Sequence, residues 1–133
     1  MSKINKSLIV VLAISTLIEV YLGVAILAAP AHMMHDFSIS TLNDEVLYMA
    51  TTIGWFCLVT AAIVGLSTYW VYQQKSEGLY LAIILGVFWL GIGLHLGIGF
   101  ARPQHLVLDA AKGAIILVLA MLSCRKNFGA SKS

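Results

Sequence analysis

Residues 79–100 read LYLAIILGVFWLGIGLHLGIGF, and this stretch decides the class of fold. It contains no Asp, Glu, Lys or Arg. As a helix rising 1.5 Å per residue, a stretch of this length covers about 33 Å. The hydrocarbon core of a bilayer is about 30 Å thick, so the stretch predicts a transmembrane helix.

Three further apolar stretches extend this prediction outward, and the four predicted spans are residues 8–29, 47–69, 79–100 and 105–124. The composition agrees, because 60% of the residues are hydrophobic, 11% are charged and the mean hydropathy is +0.94. A soluble domain carries about 25% charged residues. A chain of 133 residues has room for one domain. We therefore predict an all-α, polytopic membrane protein in which residues 1–133 form a single antiparallel bundle of four transmembrane helices.

The distribution of basic residues predicts the orientation, because cytoplasmic loops carry an excess of Lys and Arg. Six basic residues fall on one predicted side: Lys3, Lys6, Lys75, Arg125, Lys126 and Lys132. The loops of the opposite side contain one Lys or Arg residue, which is Arg102. Both termini are therefore expected in the cytoplasm, with the chain crossing the inner (plasma) membrane of a cell several times. The lipid bilayer is the expected partner, and a net charge of +2 does not favour nucleic acid.

A cleaved signal peptide is the alternative interpretation of the N-terminus. Lys3 and Lys6 form a basic start, and Ala29-Pro30-Ala31 resembles a cleavage site. The apolar region of residues 8–29 is, however, longer than the 7 to 15 residues typical of a signal peptide, and Glu19 interrupts it. An uncleaved first helix is preferred.

Glu19 is the most informative polar residue, because it falls in the middle of the first span. A charged side chain at that depth costs roughly 3 kcal/mol on insertion scales, so it usually faces a bundle interior and marks a pathway or a site. Lys112 is its natural partner. Two interpretations stay open: a buried Glu19–Lys112 pair that fixes helix register, or a carboxylate that handles a ligand or a proton.

A cluster of polar residues is predicted where spans three and four meet. His105, Asp109 and Lys112 share one helix face by i+4 and i+3 spacing. Gly91, His95, Gly99 and Arg102 form a stripe on span three, and the short connection makes the two spans antiparallel neighbours, so the stripes are expected to face each other. The predicted ligand or proton site comprises Glu19, His95, Arg102, His105, Asp109 and Lys112.

Glycine is abundant in span three, where Gly93 and Gly97 form a GxxxG motif. Small residues allow a second helix to approach closely, which is the favoured explanation. The alternative is that glycines clear space beside His95 for a ligand.

Two metal-binding hypotheses follow from the histidines. His95, His105 and Asp109 are candidates for a two-His, one-carboxylate site. In the outer connection, His32 and His35 flank Met33 and Met34, which are soft ligands suited to Cu(I). An interfacial loop without metal is the favoured interpretation of the second group.

Two sequence features carry a resemblance: TTIGWF at residues 51–56, and a third-span histidine followed by RPQHLVLDAAKG at residues 102–113. With the chain length and four spans, they resemble small four-helix bacterial inner-membrane proteins of the DoxX-like kind. The resemblance covers about half of the chain, implies a four-helix bundle and transfers no catalytic residues. Glu19 is also similar to the first-span glutamate that small multidrug exporters use for proton coupling, but the glycine-rich third span departs from their pattern.

Three functions are consistent with these residues. The first is a membrane-embedded binding or transport module for a proton, a cation or a small amphipathic ligand. The second is an accessory subunit of a larger membrane complex, or a homo-oligomer, that packs through the glycine-rich face. The third is a metal-dependent membrane enzyme. An enzyme is disfavoured, because the sequence has no nucleophile elbow, phosphate loop, dinucleotide fingerprint or zinc-protease helix.

Overall fold

The structure is a computed structural model that describes residues 1–129, and the described residues form helices and short connections without a β-strand. Five α-helices and two π-helical segments follow one another along the chain. They are α1 (Lys3–Ala28), α2 (Pro30–Asp36), α3 (Asp44–Tyr72), α4 (Ser76–Leu94), a first π-helical segment (His95–Gly99), a second π-helical segment (Leu106–Ala111) and α5 (Lys112–Gly129).

Four helical stretches are long and apolar enough to cross a membrane, which confirms the all-α prediction and the expected number of such stretches; the orientation of the termini and the bundle arrangement stay predictions. They are Lys3–Ala28, Asp44–Tyr72, Ser76–Gly99 and Leu106–Asn127. Between 22% and 33% of the residues in their most apolar windows are buried inside the protein. Most of the apolar surface therefore faces outward, as a lipid environment requires.

The helix ends follow from local chemistry. Pro30 stands at the start of α2, where its missing N–H would have no helical partner. The side chain of Asn43 accepts a hydrogen bond from the backbone N–H of Val46 at 2.9 Å and caps α3. Gln74 and Ala101 adopt positive φ angles of 59° and 50°, which end the helices before them.

The chain divides into two compact units, residues 14–65 and residues 1–13 with 66–129. In the first of these, α1 packs closely on α3, because a Cβ at Gly23 would lie 3.0 Å from the carbonyl oxygen of Gly54. A small apolar core in the same unit contains Ile26, Met33, Met34 and Ala50.

The other unit is built around the hairpin of α4 and α5, whose backbones approach so closely at Gly86, Gly93 and Gly113 that a Cβ there would collide with the facing backbone. A Cβ at Gly93 would collide with the backbone of Ala110, and a Cβ at Gly113 with that of Leu90. The other two contacts, Gly97 with Leu106 and Gly86 with Leu117, continue the same antiparallel register. We call this line of contacts the glycine seam.

Candidate functional site

The hairpin changes from α-helical to π-helical winding on both sides of its turn. The first π-helical segment ends span three and the second begins span four. π-Helical turns are rare and are found frequently at functional sites, because they displace side chains from regular α-helical positions. The second segment contains Asp109 and is directly preceded by His105 and followed by Lys112.

Asp109 is the centre of a polar chain that runs along one face of span four. The Nδ1 of His105 donates a hydrogen bond to Oδ2 of Asp109 at 2.6 Å. The Nζ of Lys112 lies 3.7 Å from the other carboxylate oxygen, Oδ1. Each oxygen of this carboxylate therefore has its own basic partner. We call the three residues the Asp109 triad.

The Asp109 triad lies largely inside the protein. The side chains of His105 and Asp109 are each 22% exposed, and that of Lys112 is 11% exposed. Lys112 follows the second π-helical segment, so its backbone lies roughly 9 Å inside the fourth span, which begins at Leu106. The triad thus extends from the residue before the fourth span into the first third of that span.

Trp89 on α4 completes the surroundings of Lys112. The ammonium of Lys112 lies 4.1 Å from the centroid of the Trp89 ring, in a cation–π contact. Trp89 is almost fully buried, with 2% of its surface exposed. The close approach at Gly93 and Gly113 is what brings the indole of one helix to the ammonium of the other.

His95 does not face span four, and the expectation that its stripe would do so is wrong. The span-three residues that meet span four are Gly93 and, one turn further, Gly97, whereas His95 is exposed. Two residues that are two positions apart in a helix differ by about 200° of rotation, so packing through Gly93 turns His95 to the opposite side. The ring of His95 instead lies 5.8 Å from that of Phe100.

The glycines of span three therefore have two different environments. Gly86, Gly93 and Gly97 serve helix packing, which confirms the favoured explanation of the GxxxG motif. At Gly91, apart from its two neighbours and the backbone of its own helix, no described atom lies within 4 Å of the position that a Cβ would take, so this glycine borders open space.

Arg102 lies half-buried in the connection between the two spans. Its backbone N–H donates to the carbonyl of Leu96 at 3.3 Å, and its own carbonyl accepts from the N–H of His105 at 3.0 Å. The backbone of Arg102 thus ties the end of span three to the start of span four. Its guanidinium stays a predicted member of the site.

Glu19 is buried, with 5% of its surface exposed, and it is not without an interaction partner. It lies on the α1 face that packs on α3, between Thr16, whose side chain lies near Gly65, and Gly23, which lies near Leu58. The carboxylate therefore belongs to an interhelical face rather than to a lipid-facing one. The pairing of Glu19 with Lys112 stays a prediction.

Residues 1–129 contain no group of three or more His, Cys, Asp or Glu side chains placed to hold a metal ion. The candidate ligands His95, His105 and Asp109 are therefore not assembled as a metal site there. In the connection between the first two spans, Met33 and Met34 are buried in the apolar core, while His32 and His35 are exposed. The soft sulfur ligands and the imidazoles thus have separate environments, as in an interfacial segment.

Sequence reasoning did not identify Trp89 as part of the site. From the sequence alone, Trp89 is expected to be core or lipid-facing bulk, with the lining of an apolar pocket as the alternative, because its distance along the chain from Lys112 gives no spacing signal. The antiparallel glycine register of the hairpin is the signal that could have found it, since that register places residue 89 within one turn of residue 112.

Comparisons with known proteins found no matching family, no similar curated protein and no similar solved structure. The resemblance to DoxX-like proteins stays a prediction.

Proposed function

We propose that this protein is a membrane-embedded binding or transport module for a proton or a cation, and that the Asp109 triad is its polar site. The observation that carries the proposal is a carboxylate, with a different basic group near each oxygen, inside a helical stretch that is long and apolar enough to span a membrane. Ionisable residues at membrane depth are costly, and they commonly pair with one another and mark ion pathways or proton relays.

The three members of the triad have complementary capacities. His105 stands directly before the second π-helical segment, and an imidazole can both accept and donate a proton, so this residue is suited to exchange a proton at the start of the span. Asp109 accepts from it directly, and Lys112 carries the charge further into the span. In this proposal the start of the fourth span opens toward the outer face of the membrane, and Glu19 stays a separately predicted ionisable group on the α1–α3 face.

Proton uptake into proteoliposomes tests the proposal. Protein is reconstituted with a pH-sensitive dye inside the vesicles, and an outward potassium gradient with valinomycin drives proton entry. We expect uptake above that of empty vesicles, with loss of the excess in Asp109→Asn and in Glu19→Gln. Asp36→Asn is the matched control, because Asp36 belongs to an exposed His–Asp pair. Unchanged uptake in Asp109→Asn would contradict the proposal.

A second candidate function, an accessory subunit of a larger membrane complex, is supported by the exposed His95. This imidazole lies within span three, where an exposed polar group would face lipid. The partner would then use the His95 side of span three, because the glycine seam is already occupied by span four. A single-copy mass for protein purified in mild detergent, unaltered by His95→Leu, would count against this function.

A further inference from the structure

We propose that one end of the unit formed by residues 1–13 and 66–129 is a binding surface for the headgroups of anionic phospholipids. The surface consists of five exposed basic residues, which we call the basic cluster: Lys3, Lys6, Lys75, Arg125 and Lys126. No member of the Asp109 triad belongs to it, so the inference does not depend on the proposed function.

The register of the α4–α5 hairpin brings part of the basic cluster together. The contacts of the glycine seam run antiparallel and include the approach of Gly86 to Leu117. Continued to the ends of the two helices, this register places Lys126 level with Glu77 in the first turn of α4. Lys75 directly precedes α4, so it lies within one turn of that level. The basic residues at the start of α4 and at the end of α5 therefore lie at the same end of the hairpin.

The start of α1 reaches the same end. α1 and α3 are antiparallel, because Gly23 lies near Leu58 and Thr16 lies near Gly65. The first turns of α1, which carry the other two members of the basic cluster, are therefore level with the end of α3 and the connection that follows it. Residues 1–13 and 66–75 also belong to the same compact unit.

The charges of the basic cluster are not balanced within the described part of the chain. None of its five side chains forms an ion pair with another described residue. The acidic residues of this unit are Glu77 and Asp109, and Asp109 lies beside His105 and Lys112. The carboxylate of Glu77 accepts a hydrogen bond from the hydroxyl of Ser76 at 3.2 Å. Five positive charges near one negative charge repel one another, and an external anion relieves this repulsion.

Exposed tyrosines indicate the depth of the basic cluster in a bilayer. Tyr72 and Tyr80 are 64% and 51% exposed, and they flank the connection that contains Lys75. Tyrosine is enriched where the membrane meets water, because its ring is apolar and its hydroxyl is polar. The basic cluster therefore lies at the depth of the lipid phosphates.

This position favours an anionic phospholipid over a soluble acidic partner. A group of four to eight Lys and Arg residues at the end of a transmembrane helix is typical of anionic-lipid recognition. Ammonium and guanidinium groups form short, charge-assisted hydrogen bonds with phosphate oxygens. The lipid also places its acyl chains along the exposed apolar faces of the spans, which a soluble anion cannot do.

Native mass spectrometry tests the inference on purified protein in neutral detergent, mixed with equal amounts of phosphatidylglycerol and phosphatidylcholine that have the same acyl chains. We expect phosphatidylglycerol to be favoured about tenfold, and the double variant Lys75→Gln with Arg125→Gln to lose most of this preference. The matched control is Lys75→Arg with Arg125→Lys, which keeps both charges and should keep the preference. Arg102→Gln removes one charge from the other end of the hairpin and should also keep it. Far-UV circular dichroism and a monodisperse elution profile verify that each variant is folded.

Equal binding of the two lipids to the unmodified protein would overturn the inference. An undiminished preference in the folded double variant would overturn the assignment to the basic cluster. Displacement of phosphatidylglycerol by inorganic phosphate at equal concentration would reveal a simple anion site and overturn the lipid assignment. Proton uptake that depends on Asp109 is measured separately, so either proposal can fail while the other stands.

Discussion

The chain contains two His–Asp pairs with the same i,i+4 spacing, and the structure places them in different environments. On α2, Nε2 of His32 lies 3.5 Å from Oδ2 of Asp36, and the two side chains are 73% and 54% exposed. His105 and Asp109 lie 2.6 Å apart, with side chains 22% exposed each. The spacing is identical, so the neighbouring helix rather than the sequence separation makes the second pair a candidate site.

The surroundings of each His–Asp pair determine how much that pair contributes to the stability of the protein. A solvent-exposed ion pair contributes about 0 to 1 kcal/mol to stability, because water screens it and the side chains lose freedom. A partly buried pair interacts more strongly, and removing one partner leaves the other charge poorly solvated. The second pair also has Lys112 as a third member, whose ammonium is held by Trp89.

The largest expected effect on the free energy of unfolding comes from disrupting the glycine seam, which holds span four against α4. Gly93→Ala places a methyl group against the backbone of Ala110, which cannot move as a side chain can. We expect a loss of about 3 kcal/mol in the free energy of unfolding. The matched control is Gly91→Ala, two residues away on the open side of the same helix, which should be neutral or slightly stabilising. Chemical unfolding in detergent measures both, and equal effects would contradict the glycine seam.

Asp109→Asn is expected to have the next largest effect on stability and the largest on function. The amide cannot balance the charge of Lys112, so we expect about 2 kcal/mol of destabilisation, reduced from the fully buried case because the pair is partly exposed. The same unfolding assay measures it, alongside the proteoliposome assay. A double variant with Lys112→Met should recover part of the stability, because it removes the unbalanced ammonium as well. Absence of such recovery would show that the two residues are not coupled.

His105→Gln is expected to cost about 1 kcal/mol, the usual contribution of one hydrogen bond. Proton uptake should also fall, because an amide does not take up and release a proton as an imidazole does. His32→Gln is the control on the exposed pair and should leave both quantities unchanged. An equal loss of stability and of proton uptake in the two variants would contradict the difference between the exposed pair and the partly buried pair.

Asp36→Asn is expected to have the smallest effect, less than about 0.5 kcal/mol. Salt sharpens this prediction, since 1 M salt shortens the screening distance to about 3 Å and removes most of an exposed pair's contribution. The difference in unfolding free energy between Asp36→Asn and the unmodified protein should therefore vanish at about 1 M NaCl. The effect of Asp109→Asn should persist under the same conditions.

Much of the fold could be predicted from the sequence, because uninterrupted apolar stretches of bilayer length leave few alternatives to transmembrane helices. The sharing of one face by His105, Asp109 and Lys112 was also predictable, since i+3 and i+4 spacing is a property of a single helix. The face of span three that meets span four could not be predicted. Its glycines lie on two opposite faces, and composition alone does not choose between them.

Contacts between helices were the part that spacing could not supply. Trp89 meets Lys112 only because the turn of residues 100–105 sets the register of the hairpin. The π-helical winding on both sides of that turn also changes which side chains of the two spans lie next to each other. No pattern in the apolar residues predicts this winding. The role of Glu19 beyond its α1–α3 face remains a prediction for the same reason.

The glycine seam also bears on how the chain enters a membrane during biosynthesis. The first half of span four carries Asp109 and Lys112 and would be a poor substrate for the translocon by itself. This half of span four packs closely on the apolar α4 through the glycine seam, and its charges balance each other. It can therefore leave the translocon together with α4, as a helical hairpin. The glycines would then act first as an assembly device for the nascent protein, before any ligand is present.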